Sequence, residues 1–276
     1  MATRKVTSLE VAKLAGVSQS AVSRVFTPGA SASKKTGEKV RKAAMELGYR
    51  PNVLARSLIT GRSRIIGLVV ANLDNYFYPE ALELISNALQ KKGYHVLVFM
   101  ASKTAGRIDD VVDEILDYQV DGIILASVAM SSSLASRCTS AGVPVILFNR
   151  SQDDDSFSAI TSDNILGGQK VARFLIAGGH KRIGYIAGWE GASTQRDRET
   201  GFVEELKQHG MSLHAREVGN FIQDEARQAA RKMFTANEIP DAVFVASDHM
   251  AFAVMDVLRT EIGLKIPEQV SVVGYD

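Results

Sequence analysis

The chain has 276 residues, more than one compact domain ordinarily holds, and its 46% hydrophobic and 23% charged content is ordinary for a soluble globular protein. No apolar run approaches the ~20 residues a membrane-spanning helix needs, and the start Met1-Ala2-Thr3-Arg4-Lys5 leads into polar sequence rather than the apolar stretch of a secretory signal. The net charge of +1 hides a division. Through Arg64 there are 13 Lys/Arg against 3 Asp/Glu, a net of +10, while the remainder carries 19 basic and 28 acidic residues, a net of −9. A small basic module on an acidic body points to a polyanionic partner for the first module alone. The one cysteine, Cys138, excludes an intrachain disulfide and fits a reducing cytoplasm. It falls in a predicted helix over Ser132–Ala141 and is expected to be an inert, partly buried thiol.

In chain order, residues 6–26 predict two short helices. Thr7 or Ser8 can cap the first, whose apolar face is expected from Leu9, Val11, Ala12 and Leu14. Gly16 marks a tight turn, and Ser18 can cap a second helix with apolar positions Ala21, Val22, Val25 and Phe26. A third helix follows Ser33, with Val40, Ala43, Ala44 and Leu47 inward and Gly48 as its stop. Gly37 near its start should weaken it by something under ~1 kcal/mol. Small Ala12 and Ala15 where the first two helices cross, the turn Gly16, and Val17 with Val22 locking the pair are the requirements of a helix-turn-helix. Its second helix then turns Gln19, Ser20, Ser23 and Arg24 outward. Glutamine can pair with adenine, and arginine with guanine, in the major groove.

Pro51 breaks the chain before a short segment, Asn52 to Ile59, too short to be a stable helix alone. From Ile65 the texture changes to short apolar runs: Ile65–Ala71, Val96–Met100, Gly122–Ala126, Val143–Phe148, Ile183–Ala187, Val243–Ala246 and Val270–Gly274. Helical stretches such as Pro79–Lys92 and Ile108–Tyr118 lie between them. Continuous apolar strands alternating with helices predict parallel sheets covered on both faces. Glu83–Met100 and Phe202–Val218 share a helix, glycine turn, strand pattern, which predicts two similar lobes with a ligand cleft at the carboxyl ends of the strands.

The segment Val6–Val25, with Leu47-Gly-Tyr-Arg-Pro-Asn52 and Ala55-Arg-Ser-Leu58, closely resembles the lactose-repressor (LacI/GalR) family of bacterial regulators. The likeness continues through Ile66-Gly-Leu-Val-Val70, Asp121-Gly-Ile-Ile124, Gly179-His-Lys-Arg-Ile183, Ala246-Ser-Asp-His-Met-Ala251 and Val270-Ser-Val-Val-Gly-Tyr-Asp276. The resemblance implies an α/β fold class: an all-α helix-turn-helix headpiece (1–50), a hinge helix or linker (51–62) and a two-lobed, periplasmic-binding-protein-like domain of doubly wound parallel sheets (63–276). It implies that Gln19, Ser20 and Arg24 read bases, and that Thr7, Ser18, Ser23, Thr36 and Tyr49 touch or support the DNA backbone. Leu58, with Ala55 beside it, would be the wedge pushed into the minor groove at the operator centre. The family often has Asn after the recognition helix, and Thr27 departs from that. For the effector the resemblance implies Phe77, Asn149, Asp163, Arg198, Phe221, Ser247 and Asp276. Phe77 or Phe221 would offer a flat face to stack on, and Arg198, Asn149 and Asp276 fixed hydrogen-bond partners.

Family members continue for several dozen residues past the position of Asp276. The two lobes are therefore expected to be incomplete at the C-terminus, with apolar strand edges exposed and aggregation the consequence. Enzyme signals are weak: the five histidines lack metal-ligand spacing, and neither a Gly-Lys-Ser/Thr phosphate loop nor a Gly-x-Ser-x-Gly elbow occurs. No catalytic residue, cofactor or metal is expected. The expected partners are double-stranded DNA with a pseudo-palindromic operator, a small effector of carbohydrate type, and a second copy of the chain in a cytoplasmic homodimer. The alternatives on the same fold are a sugar receptor for a transporter, disfavoured by the basic headpiece, and a sugar-processing enzyme, disfavoured by the absent catalytic pairs.

Overall fold

The computed structural model describes residues 6–27, 29–51, 61–71, 73–101, 108–128, 131–152 and 157–276. The chain divides into two compact units, Met1–Ser63 and Arg64–Asp276. Ala55 and Leu58 lie outside the described residues.

The first unit holds three helices: α1 (Ser8–Ala15), α2 (Gln19–Phe26) and α3 (Lys34–Leu47). Each start is fixed by a hydroxyl. Thr7 forms a reciprocal capping box with Glu10, Ser18 accepts from Ala21 N–H, and Ser33 accepts from Thr36 N–H. Gly16 and Gly48 end α1 and α3 in the left-handed conformation that glycine adopts without a Cβ penalty. The core is Val11, Ala12, Ala15, Val22, Val40, Ala43 and Ala44, with Phe26 tilted against Tyr49. On α1 Leu9 and Leu14, expected inward, are about half exposed, while the expected Val11, Ala12 and Ala15 are buried. Small residues there let α1 lie close to its partners, which a leucine face would prevent.

The second unit carries two parallel sheets. In the first the order is β2-β1-β3-β4-β5, from β1 (Ile65–Val70), β2 (His95–Met100), β3 (Gly122–Ala126), β4 (Val145–Phe148) and β5 (Ser158–Ile160). In the second the order is β7-β6-β8-β9, from β6 (Ile183–Ala187), β7 (Ala215–Val218), β8 (Ala242–Val245) and β9 (Ser271–Val273). The shared order of the first four strands in each sheet is the structural form of the internal similarity. Between strands run α4 (Phe77–Lys91), α5 (Ile108–Asp117), α6 (Ser132–Ser140), α7 (Asn164–Ala177), α8 (Ser193–Gln208), α9 (Gln223–Phe234) and α10 (Asp248–Asp256). A π-helical turn, Val257–Ile262, continues α10. Central β6 and β8 are buried at every position, as strands covered on both faces must be. At the sheet margins Val98, Met100 and Ile160 are exposed. Cys138 is fully rather than partly buried, and loss of hydration pushes its thiol pKa up, against the pull of Arg137, so it is a packing residue.

Candidate DNA-reading face and effector cleft

In the first unit α2 presents the expected row. Val22 is fully buried, while Ser18, Gln19, Ser20, Ser23 and Arg24 are exposed. Several of these side chains are held by neighbours. Gln19 Nε2 donates to Ser8 Oγ at 2.9 Å, and Arg24 Nε donates to the Ser20 carbonyl at 3.4 Å. Such bonds preset the direction of groups that would face a base edge. Thr7, Ser18 and Thr36 sit at the three helix starts, where Thr7 Oγ1 donates to Glu10 and Thr36 Oγ1 lies 2.8 Å from Ser33 Oγ. Thr27, the departure from the family pattern, caps α2 and donates to the Ser23 carbonyl at 2.8 Å.

In the second unit the polar side chains gather beyond the carboxyl ends of the strands. That is where an open sheet leaves a crevice as the chain leaves one strand for either side. Four of the non-glycine residues with positive φ lie there: Ser127, Asn149, Asn220 and Phe221. Each follows a strand directly or within a few residues. Phenylalanine has no local hydrogen bond to offset a left-handed backbone, and such strain costs on the order of 1–3 kcal/mol. Phe221 holds φ 56° all the same, and its contacts fix the ring. It lies on Gly188, where a Cβ would overlap the ring at 2.2 Å, and the Phe221 carbonyl faces His249 Nε2 at 2.9 Å.

Arg198 is the centre of the second lobe's share. It is buried in α8, its Nε donating to Asn164 Oδ1 at 2.9 Å and its Nη1 to the Ala246 carbonyl at 2.5 Å. Its guanidinium stacks 4.0 Å from the Tyr275 ring centre. This placement depends on two glycines. A Cβ at Gly168 of α7 would stand 2.2 Å from the Arg198 carbonyl, and one at Gly201 of α8 would stand 2.0 Å from the Ile165 carbonyl. The two backbones can approach only because both Cβ atoms are missing, and that approach puts Asn164 within reach of Arg198. Burial pulls the Arg198 pKa down from the usual arginine value, with Tyr275 and then Asp276 opposing. Asp276 is exposed as a residue, yet its carboxyl is partly dehydrated, which raises its pKa against the pull of Arg198. Asp163 caps α7 by accepting from Leu166 N–H and lies close enough to Tyr275 to raise its pKa, behind the larger effect of burial. Ser247 is buried, its Oγ 3.1 Å from His249 Nδ1.

On the first lobe Phe77 stacks on Phe148 at 5.8 Å and meets Tyr78 edge-on at 5.2 Å. Asn149 Nδ2 donates to the Tyr78 hydroxyl at 3.0 Å. Among the described residues the lobes meet at several points: Asn75 lies close enough to Asp276 to lower its pKa, Ser151 N–H donates to Ser193 Oγ at 2.9 Å, and the Arg150 guanidinium lies over the Trp189 ring at 5.1 Å. The structure thus brings Arg198, Asp276 and Asp163 together around Tyr275, joins Ser247 to Phe221 through His249, and groups Asn149 with Phe77 around Tyr78.

Sequence reasoning missed Asn75, Tyr78, Arg150, Trp189, Gln195 and Tyr275. Gln195 is buried in α8 and accepts from Tyr185 and from Gly188 N–H, while donating to Glu199, which holds the loop bearing Trp189. A polar residue immediately after an apolar strand was the available signal for Arg150. A lone tryptophan in a Gly-rich turn was the signal for Trp189. Among the described residues no group of His, Cys, Asp and Glu could hold a metal ion, and no helix is long and apolar enough to cross a membrane.

A basic three-helix unit with an exposed polar row on its second helix, next in sequence to a two-lobed cleft, defines a DNA-binding regulator with a ligand domain. Residues 8–52 match the family of bacterial regulatory proteins, lacI family, and residues 63–276 match the periplasmic binding proteins and sugar binding domain of LacI family. The chain belongs to the LacI family of transcription regulators. It is 34% identical to the HTH-type transcriptional regulator CelR of Thermobifida fusca over 99% of this chain and 82% of that protein. It is 31% identical to the HTH-type transcriptional repressor PurR of Vibrio vulnificus over 97% of this chain and 80% of that one. The lac repressor dimer bound to operator and the anti-inducer ONPF is similar in structure, with a TM-score of 0.88 at 29% identity over 99% of this chain and 83% of that one. The CelR–cellobiose complex is similar with a TM-score of 0.70 at 33% identity, again over 99% and 83%.

Proposed function

We propose that the chain works as a cytoplasmic homodimer that reads a pseudo-palindromic operator and changes its grip when a sugar or sugar derivative enters the cleft. The observation that carries this is the pairing of an outward row on α2 with buried polar groups at the strand ends of both lobes. Gln19, Ser20 and Arg24 are the base readers in this reading. Thr7, Ser18, Ser23, Thr36 and Tyr49 serve the DNA backbone. A helix-turn-helix dimer places its two reading helices about one DNA turn apart, which demands a two-fold site. Residues 1–50, 51–62 and 63–276 serve as headpiece, hinge and effector domain.

Phe77, Asn149, Asp163, Arg198, Phe221, Ser247 and Asp276 form the effector site. Aromatic faces and fixed hydrogen-bond partners suit a hydroxyl-rich ring, and the similar CelR structure holds cellobiose. The links that cross between lobes give an effector groups whose spacing it can change, which is what coupling between two sites requires. No catalytic residue is assigned. Selection of bound duplexes from a random pool tests the reading. It should return a pseudo-palindrome, bound with an affinity that falls steeply with salt. Recovery of unrelated duplexes would overturn it.

A further inference from the structure

We propose that the effector carries a carboxylate or phosphate group and that Arg150, with Ser127 and Trp189, forms the subsite for that anion. This rests on the reading of the cleft as the effector site and adds a charge to the ligand. Arg150 follows β4, Ser127 follows β3, and Trp189 follows β6, so the three meet where the strands of both lobes end.

The Arg150 side chain is only 7% exposed. A buried charge is costly unless paired, and buried arginines ordinarily have a carboxylate partner. Arg198, also buried in this unit, has two firm acceptors, Asn164 Oδ1 and the Ala246 carbonyl, with Asp276 near enough to raise its pKa. Arg150 has no carboxylate partner among the described residues. Its Nη2 donates one long bond, 3.4 Å, to Ser127 Oγ, its Nε has no acceptor, and its face rests on the Trp189 ring. Loss of hydration lowers its pKa, opposed by the neighbouring Tyr78 phenol. Arginine stays protonated at neutral pH all the same.

Nε and Nη2 lie on one edge of the guanidinium, the edge that receives two oxygens of a carboxylate or phosphate side by side. Trp189 holds the plane of the fork, and Ser127 adds a hydroxyl donor. Gly188 N–H bonded to Gln195 keeps the Trp189 loop in place without help from a ligand. The site is therefore built on both walls, with a cation and, among the described residues, no counter-charge.

Trp189 is the only tryptophan in the chain, so its emission reports on this subsite directly. The test is a fluorescence titration of the full chain with glucose, glucuronate, gluconate, glucose 6-phosphate and galactose 1-phosphate, together with galactose, cellobiose, inorganic phosphate and acetate. At least one anionic sugar should give a saturable change with a Kd at least 10-fold below that of its neutral parent. The carboxylate and phosphate arms say which anion is held. Arg150→Gln should erase that preference, raising the Kd for the anion at least 10-fold while the neutral parent changes less than about 3-fold. Arg150→Lys, which keeps the charge but not the fork, should recover part of it, and unchanged circular dichroism of both variants separates binding from folding. Arg150-dependent binding confined to anions without a sugar ring would keep the subsite and overturn the sugar reading. A neutral sugar that saturates equally well and ignores Arg150→Gln, or the absence of any saturable anion, would overturn the subsite.

Discussion

Two arginines show how a side chain's surroundings decide its task. Arg24 is exposed on α2, where its Nε makes a long bond to the Ser20 carbonyl and its guanidinium can meet a base. A bidentate guanine contact is worth ~1–3 kcal/mol of discrimination. Arg24→Ala should therefore weaken the selected operator about 5- to 150-fold more than a random duplex, measured by fluorescence anisotropy at fixed salt. Equal losses on both would remove Arg24 from base reading. Arg198 is buried and bonded to Asn164 and Ala246. Arg198→Ala should abolish the response to effector, and it leaves the Asn164 and Ala246 oxygens without their donor, at about 1–3 kcal/mol. Operator binding without effector should stay within a few fold, because the headpiece is a separate unit. A loss matching that of Arg24→Ala would contradict this. At this scale the sequence showed Arg198 and Asp276 only through family likeness. Arg150 and Tyr275 escaped because a buried polar residue at a strand end has no periodic pattern to announce it.

Whole elements are more legible, since apolar runs and caps are local signals. The strands at 122–126 and 183–187 lie where their apolar runs predict. Ser33, Gly48 and Gly16 bound their helices for the reasons their chemistry gives. On eight-residue α1, Val11, Ala12 and Ala15 are inward as expected, but Leu9 and Leu14 are not, because two turns are too few for leucines to define a stripe. The glycine pair between α7 and α8 was also not legible, since nothing in one helix says how near another will come. It makes two opposite predictions. Gly201→Ala must force α8 away from the Ile165 backbone and should cost about 1–3 kcal/mol or more, with loss of effector binding. Gly37→Ala in α3 meets only the flexible end of Arg41, at 3.4 Å, and should stabilise the first unit by up to ~1 kcal/mol. Urea unfolding followed by Trp189 emission reads the former, and far-ultraviolet circular dichroism reads the latter. A Gly201→Ala chain as stable as the parent, or a Gly37→Ala that destabilises the first unit, would refute the packing argument.

The whole molecule joins a basic reader to an acidic, ligand-binding body, a division already present in the charge of the sequence. The repeated strand order explains why one cleft draws residues from both halves of the second unit. Effector binding should raise the unfolding temperature of that unit, seen through Trp189, in proportion to the logarithm of ligand concentration. The central claim is that cleft and reading helix are coupled. The measurement that tests it most directly is the operator affinity of the full chain with and without a ligand that saturates the Trp189 signal. Coupling of this kind is worth ~1–3 kcal/mol, so the operator Kd should shift about 5- to 150-fold, and operator should shift the ligand's Kd by the same factor. A ligand that fills the cleft and leaves the operator Kd unchanged would contradict the account.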